Sequence, residues 1–237
     1  MNSTRSQARL AGTLYLLTSI LGFFAMGYVP GKLFVHGEAA AMAGNIAAHE
    51  TLFRLGMAAG LIGQAGFIFV AFALYELLKG VNQRRAALMV TLIIIQVPIA
   101  FVSELNSMAA LALARGADFL VIFDKPQREA LARMFLDLHH YGLVVAGMFW
   151  GLWLFPLALL VYRSRFLPRL LGVWLALAGL AWVVWSLTGV LWPRYEDKVY
   201  SLAQPALIGE IAFMLWLIVR GANPKAPASS AATAATG

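Results

Sequence analysis

Two carboxylates stand where charge is hardest to keep. Glu104 interrupts the apolar run Ala86–Ala114, and Glu210 interrupts Ala203–Val219. Ionisable side chains inside a membrane are costly, so they face protein, water or a partner rather than lipid. Around Glu104, the residues Gln96, Ser103 and Ser107 recur at helical spacing and form one polar stripe, with Glu104 and Asn106 flanking it. No Lys or Arg occurs within either run. A carboxylate held in a low-dielectric bundle therefore needs neutral donors, a proton or a cationic ligand to compensate it.

Histidines form the second group. His49 precedes one apolar stretch, His139 and His140 precede another, and His36 lies in a loop on the same side. Neighbouring positions on a helix point about 100° apart, so only one of His139 and His140 is expected to face the bundle axis. A metal or haem would need imidazoles converging from separate helices. His49 with His139 or His140, completed by Glu104 or Glu210, is the one combination that could supply it, and no HExxH or HxxxH spacing supports it. No cofactor is expected. Cysteine is absent, which excludes thiolate ligands and a cysteine nucleophile. There is no GxSxG, no phosphate-binding glycine loop and no Ser-His-Asp constellation.

The ligand-binding set expected from these patterns is Glu104, Glu210, Gln96, Ser103, Asn106, Ser107, His139 and His140. It suits a small polar or cationic molecule held in the outer half of a helix bundle, in a binding or transport protein. An intramembrane metal or haem enzyme using His49, His139 and His140 is one alternative. A non-catalytic accessory subunit is another. Beyond membrane lipid and this unknown small molecule no partner is indicated, and oligomeric state is open.

The elements that must position these residues follow from hydropathy. Of the 237 residues 61% are hydrophobic and 12% charged, where a soluble domain carries about 25% charged. Six stretches are free or nearly free of charge: Leu10–Val29, Leu55–Tyr75, Ala86–Ala114, Tyr141–Tyr162, Leu170–Trp192 and Ala203–Val219. At 1.5 Å per residue each suits a hydrocarbon core about 30 Å thick, the last with help from flanking residues. In lipid the backbone must satisfy its own hydrogen bonds, which makes these runs helices. The fold class is an all-α integral membrane protein, a six-transmembrane-helix bundle. Residues 1–220 form a single transmembrane domain, and the Ala-, Ser- and Pro-rich stretch 221–237 reads as a disordered cytoplasmic tail. The first run reads as a retained span rather than a cleaved leader.

Net charge is +7, carried by short loops rather than by a nucleic-acid-binding face, and no nucleic acid is expected. Compact basic clusters, chiefly Arg5 with Arg9, Lys79 with Arg84 and Arg85, and Arg163 with Arg165 and Arg169, alternate with longer loops rich in acids. The positive-inside rule places the clusters and both termini in the cytoplasm, in a bacterial plasma (inner) membrane. Glu38–His49 and Gln127–Leu138 are amphipathic without being able to span, and read as interfacial helices or extensions of the next span. Gly56, Gly60 and Gly63 share a face, as do Gly147 and Gly151, which suits close helix contacts within the bundle. Pro98 and Pro156 should kink their helices. Trp185 and Trp192 suit an aromatic belt, and Glu50 with Arg54 and Glu76 with Lys79 suit helix-surface ion pairs.

Three landmarks carry a family resemblance. They are Arg9-Leu10-Ala11-Gly12 with Leu14-Tyr15-Leu16-Leu17, His49-Glu50-Thr51-Leu52-Phe53-Arg54-Leu55-Gly56, and the run from His139-His140-Tyr141-Gly142 to Leu167-Pro168-Arg169. Over about residues 5–220 the chain resembles the bacterial membrane family catalogued as domain of unknown function 4386. That resemblance implies a multi-helix membrane protein and brings no activity or site residues with it.

Overall fold

The computed structural model describes residues 3–35 and 38–222. His36, Lys225 and most of the expected tail lie outside the described residues. Six helical segments long and apolar enough to cross a membrane run over Thr4–Leu33, Glu50–Leu78, Gln83–Arg115, Lys125–Arg163, Arg169–Leu191 and Pro193–Val219. Five of them contain one of the apolar stretches whole and extend beyond it, and the fifth, Arg169–Leu191, stops one residue short of Trp192. The extensions are polar, because a helix in water or headgroups keeps its backbone bonds after the apolar pattern has ended.

In chain order the α-helices are α1 (Ser3–Phe23), α2 (Val29–Leu33), α3 (Ala39–Ala48), α4 (Glu50–Leu78), α5 (Gln83–Arg115), α6 (Lys125–Leu152), α7 (Leu154–Arg163), α8 (Arg169–Leu191) and α9 (Glu196–Val219). The first span is α1 joined to α2 through a π-helical turn, Phe24–Tyr28. Pro30 follows it, and the wider turn shifts the register before a residue that has no N–H to give. The fourth span is α6 joined to α7. It breaks at Trp153, three residues before Pro156, where the proline can no longer bond the carbonyl of Leu152. Pro98 by contrast sits inside an uninterrupted α5. Of the amphipathic stretches, Gln127–Leu138 is the outward part of α6, whose start is fixed by a capping box between Asp124 and Gln127. The other is α3, a separate helix that lays Met42, Ala43 and Ile46 onto the bundle.

The spans pack in sequence order, α1 on α4, α4 on α5, α5 on α6, α6 and α7 on α8, and α8 on α9. The ring closes where α9 meets α1. Gly12 lets that last pair approach: a Cβ there would lie 2.9 Å from the Leu217 Cβ. Gly221 lies against Arg5, so both ends of the described chain are on one face, called proximal below, and the loops holding α3 and the start of α6 are on the distal face. The glycines of the second and fourth spans do pack inside this bundle. Gly56 faces Val29, Gly63 faces Leu21, Gly147 faces Trp185, and Gly151 faces the backbone of Gly179.

A ring of six helices leaves a centre to be filled, and the filling is uneven. The proximal half is closed by a continuous apolar core including Leu74, Leu78, Met89, Ile93, Leu157 and Phe213. A second, distal cluster under α3 joins Val29, Leu33, Met42, Ile46, Phe53 and Leu136. Between the two lies the polar centre. The surface pairs Glu50–Arg54 and Glu76–Lys79 form at 2.6 Å each, and Arg115 also reaches Glu50 at 3.1 Å.

Candidate functional site

Two cavities occupy the centre of the ring. The distal one, about 400 Å³, is bordered by the ends of α2, α3, α6 and α9 and contains Glu104, Ser107, Arg133, His139, His140 and Glu196 among its walls. The deeper one, about 270 Å³, contains Glu104 again with Gln64, Gln96, Trp150, Trp182 and Glu210. Ala25, Met26, Glu104 and Leu143 line both, so the cavities meet at the depth of Glu104. Ala25 and Met26 belong to the π-helical turn, which thereby forms one wall of the junction.

Glu104 is placed there by a missing side chain. A Cβ on Gly60 of α4 would lie 2.8 Å from Glu104 Oε1, so a larger residue there would push the carboxylate aside. Among the described residues no Lys, Arg or His ion-pairs with Glu104, and Ser107, three residues along the same helix, is the side chain that hydrogen-bonds to it.

Glu210 is held quite differently. It accepts from Tyr15 Oη at 2.5 Å and from Trp182 Nε1 at 2.7 Å. Both donors are neutral, and they come from α1 and α8, the two neighbours of α9 in the ring. The helix that carries Glu210 starts at Glu196, fourteen residues earlier, so the carboxylate sits about 21 Å along α9. Below it the floor is aromatic: Tyr15, Phe67 and Trp153 meet edge-on or tilted, with ring centres 5.4–6.3 Å apart.

The two adjacent histidines divide as helix geometry requires. His139 turns to α5, where its Nδ1 is 3.0 Å from the Ser103 carbonyl oxygen and 3.0 Å from Ser107 Oγ. A carbonyl can only accept, so Nδ1 carries the hydrogen and donates it. Ser107 is therefore not activated by a bare nitrogen, and a Ser-His nucleophile is not formed. In the neutral ring the lone pair is on Nε2. His140 points the other way, to Glu196 at 2.9 Å, and ties α6 to the first turn of α9. His49 is exposed and turned back onto its own chain, near the Asn45 carbonyl. The three histidines do not converge, and among the described residues no group of three His, Asp or Glu side chains could hold a metal ion.

Of the residues expected from sequence, Glu104, Glu210, Gln96, Ser107, His139 and His140 line one or both cavities. Ser103 and Asn106 do not. Ser103 is buried, donates to the Ile99 carbonyl and occupies the space that Gly142 leaves open, which makes it a packing residue between α5 and α6. Asn106 bonds back to Val102 on its own helix. Trp185 corrects the aromatic-belt reading: it is 8% exposed and packs on Gly147 beside Trp150 and Trp182. Trp192 is 59% exposed at the distal end, where a belt residue belongs. Sequence patterns missed Tyr15, Gln64, Trp150 and Trp182. Gln64 carried a signal, a lone amide within an apolar stretch, whereas aromatic residues in a span give none.

Fold and site together define a polytopic α-helical membrane protein with a polar central cavity. The chain belongs to the family described as Domain of unknown function (DUF4386), whose model matches residues 10–221. It is also similar to an uncharacterized protein of Archaeoglobus fulgidus, 28% identical over 82 residues. That match covers 34% of this chain and 48% of the relative, so the aligned stretch spans about half the relative's length. No solved structure matches.

Proposed function

We propose that this protein binds a small cation that enters from the distal face, meets Glu104 at the junction and settles in the deeper cavity near Glu210. The observation that carries this reading is a pair of carboxylates on connected cavities, the deeper of which has no Lys or Arg in its walls. A cation supplies the compensation that the protein leaves incomplete at Glu104. The closed proximal core makes the distal mouth the route of entry. Passage to the other side requires the aromatic floor of Tyr15, Phe67 and Trp153 to part, which would be the transport step. The basic character of the proximal loops supports a cytoplasmic placement of the termini, with the mouth outside, in the plasma membrane of a bacterial cell.

Titration of purified protein in lipid nanodiscs with ammonium compounds and alkali cations tests binding. Glu104→Gln should weaken binding of the best cation by about tenfold or more, near 1.4 kcal/mol. Gly60→Ala should weaken it in the same direction by displacing the Glu104 carboxylate while leaving its charge in place. Binding of no cation, or equal binding by wild type and both variants, would sink the proposal.

Orientation has its own test. A cysteine placed among Arg163–Arg169 should resist a membrane-impermeant thiol reagent in intact cells, and one at Lys198 should react. The opposite pattern reverses the topology.

A further inference from the structure

Gln64 and Gln96 have no assigned work in the fold. Gln96 is 2% exposed, yet neither amide oxygen has a hydrogen-bond partner within the described structure. Unpartnered buried amides cost free energy, and here two of them line one cavity. By position along α4 and α5 they lie at similar depth, fourteen residues from Leu78 and thirteen from Gln83. A half-turn about the terminal bond presents either the oxygen or the NH₂ of each amide to the cavity. Glu210 opens on the same space, and Trp150 and Trp182 meet edge-on beside it with ring centres 5.1 Å apart. Trp182 is fixed by its bond to Glu210, so its ring and the carboxylate are set as a unit.

We propose that the deeper cavity is a site for a primary organic ammonium with a compact apolar body, its N–H groups directed to Glu210 and to the oxygens of Gln64 and Gln96. The proposal rests on the cation-binding reading above and names the class of cation. A primary ammonium offers three N–H donors, which match one carboxylate and two amide oxygens. The apolar body lies against the faces of Trp150 and Trp182 and the edge of Phe67, where a cation also gains from the ring quadrupoles. A cavity of about 270 Å³ is far larger than a bare inorganic ion needs. A quaternary ammonium would gain from the rings but would leave both amides unpartnered.

The discriminating measurement is a selectivity. Phenethylamine, its N,N,N-trimethyl analogue, and sodium and potassium are titrated into wild type, Gln64→Met, Gln96→Met and Glu104→Gln in nanodiscs, with folding checked by thermal melting. Wild type should prefer the primary amine to the trimethyl analogue by about tenfold. Each Gln→Met variant should cut that preference to about threefold or less while still binding the trimethyl compound. Glu104→Gln should weaken both amines together and keep the preference. Met fills the same volume without a polar group, so loss of folding is not the expected outcome; Trp182→Phe, which should weaken both amines, gives a second reading of the same site. A preference unaltered in both Gln variants, or binding of sodium or potassium alone, would overturn the amine assignment while leaving cation binding intact. Binding of none of the four would instead remove the reading on which it rests.

Discussion

Gly151→Ala should destabilise the folded bundle by about 3 kcal/mol, the upper range for overpacking a tight interface. The added Cβ would lie 2.5 Å from the Gly179 carbonyl oxygen and 3.0 Å from the Val183 nitrogen. Both are backbone atoms of α8, so no side chain can turn aside and the helices must separate. The contact is reciprocal, since a Cβ on Gly179 would lie 2.9 Å from the Gly151 carbonyl oxygen. Gly31 is the control: a Cβ there meets nothing within 4 Å. Gly31→Ala should therefore stay within about 0.5 kcal/mol of wild type. Reversible unfolding of the two variants by sodium dodecyl sulfate in mixed micelles measures both. Equal stability would mean that α6 and α8 do not pack at this distance.

Glu210→Leu should cost about 3 kcal/mol, because it leaves two sheltered donors, Tyr15 Oη and Trp182 Nε1, without their acceptor. Glu210→Gln keeps one acceptor oxygen and should cost about 1 kcal/mol. Both variants should lose the cation, since neither retains the carboxylate. The same unfolding assay, combined with amine titration, separates the structural role from the binding role. A leucine variant as stable as wild type would show that Tyr15 and Trp182 do not depend on Glu210. A glutamine variant that binds amines normally would remove Glu210 from the site.

The contrast between Glu104 and Glu210 gives these experiments their meaning. Both are acids within membrane spans, and sequence treats them alike. One is embraced by two neutral donors and stitches three helices together. The other stands at a junction kept open by Gly60, with Ser107 of its own helix as the donor beside it. A substitution at Glu104 should therefore act on binding more than on folding, and one at Glu210 on both.

The site was legible in outline and not in detail. Gln96, Ser103 and Ser107 do share a buried face of α5, as their spacing requires. They nevertheless serve three different places: the deep cavity, the α5–α6 contact and the distal cavity. A stripe on one helix runs about 16 Å between Gln96 and Ser107, and what faces it at each level belongs to other helices. Trp185 shows the same gap. Its position near the end of a span suits an aromatic belt, but rotation about the helix axis turns it onto Gly147 and into the bundle.

What the sequence determined by itself is the six-helix membrane architecture and the return of both ends of the bundle to one face. These follow from local physics: a run of apolar residues must leave water, its backbone must bond within itself, and an even number of crossings returns the chain to its starting face. Only the tertiary structure decided that α9 closes the ring against α1, so that Tyr15 donates to a carboxylate 195 residues away. It also decided that Gly60 yields its space to Glu104, and that Gln64, Gln96 and the tryptophans share one chamber. The physical reason is rotational phase. Each helix can turn about its axis with little change in its own hydropathy, and the phase is set by interlocking contacts with its neighbours, by the π-helical turn before Pro30 and by the start of α9 at Glu196. None of these is encoded in a single stretch of chain.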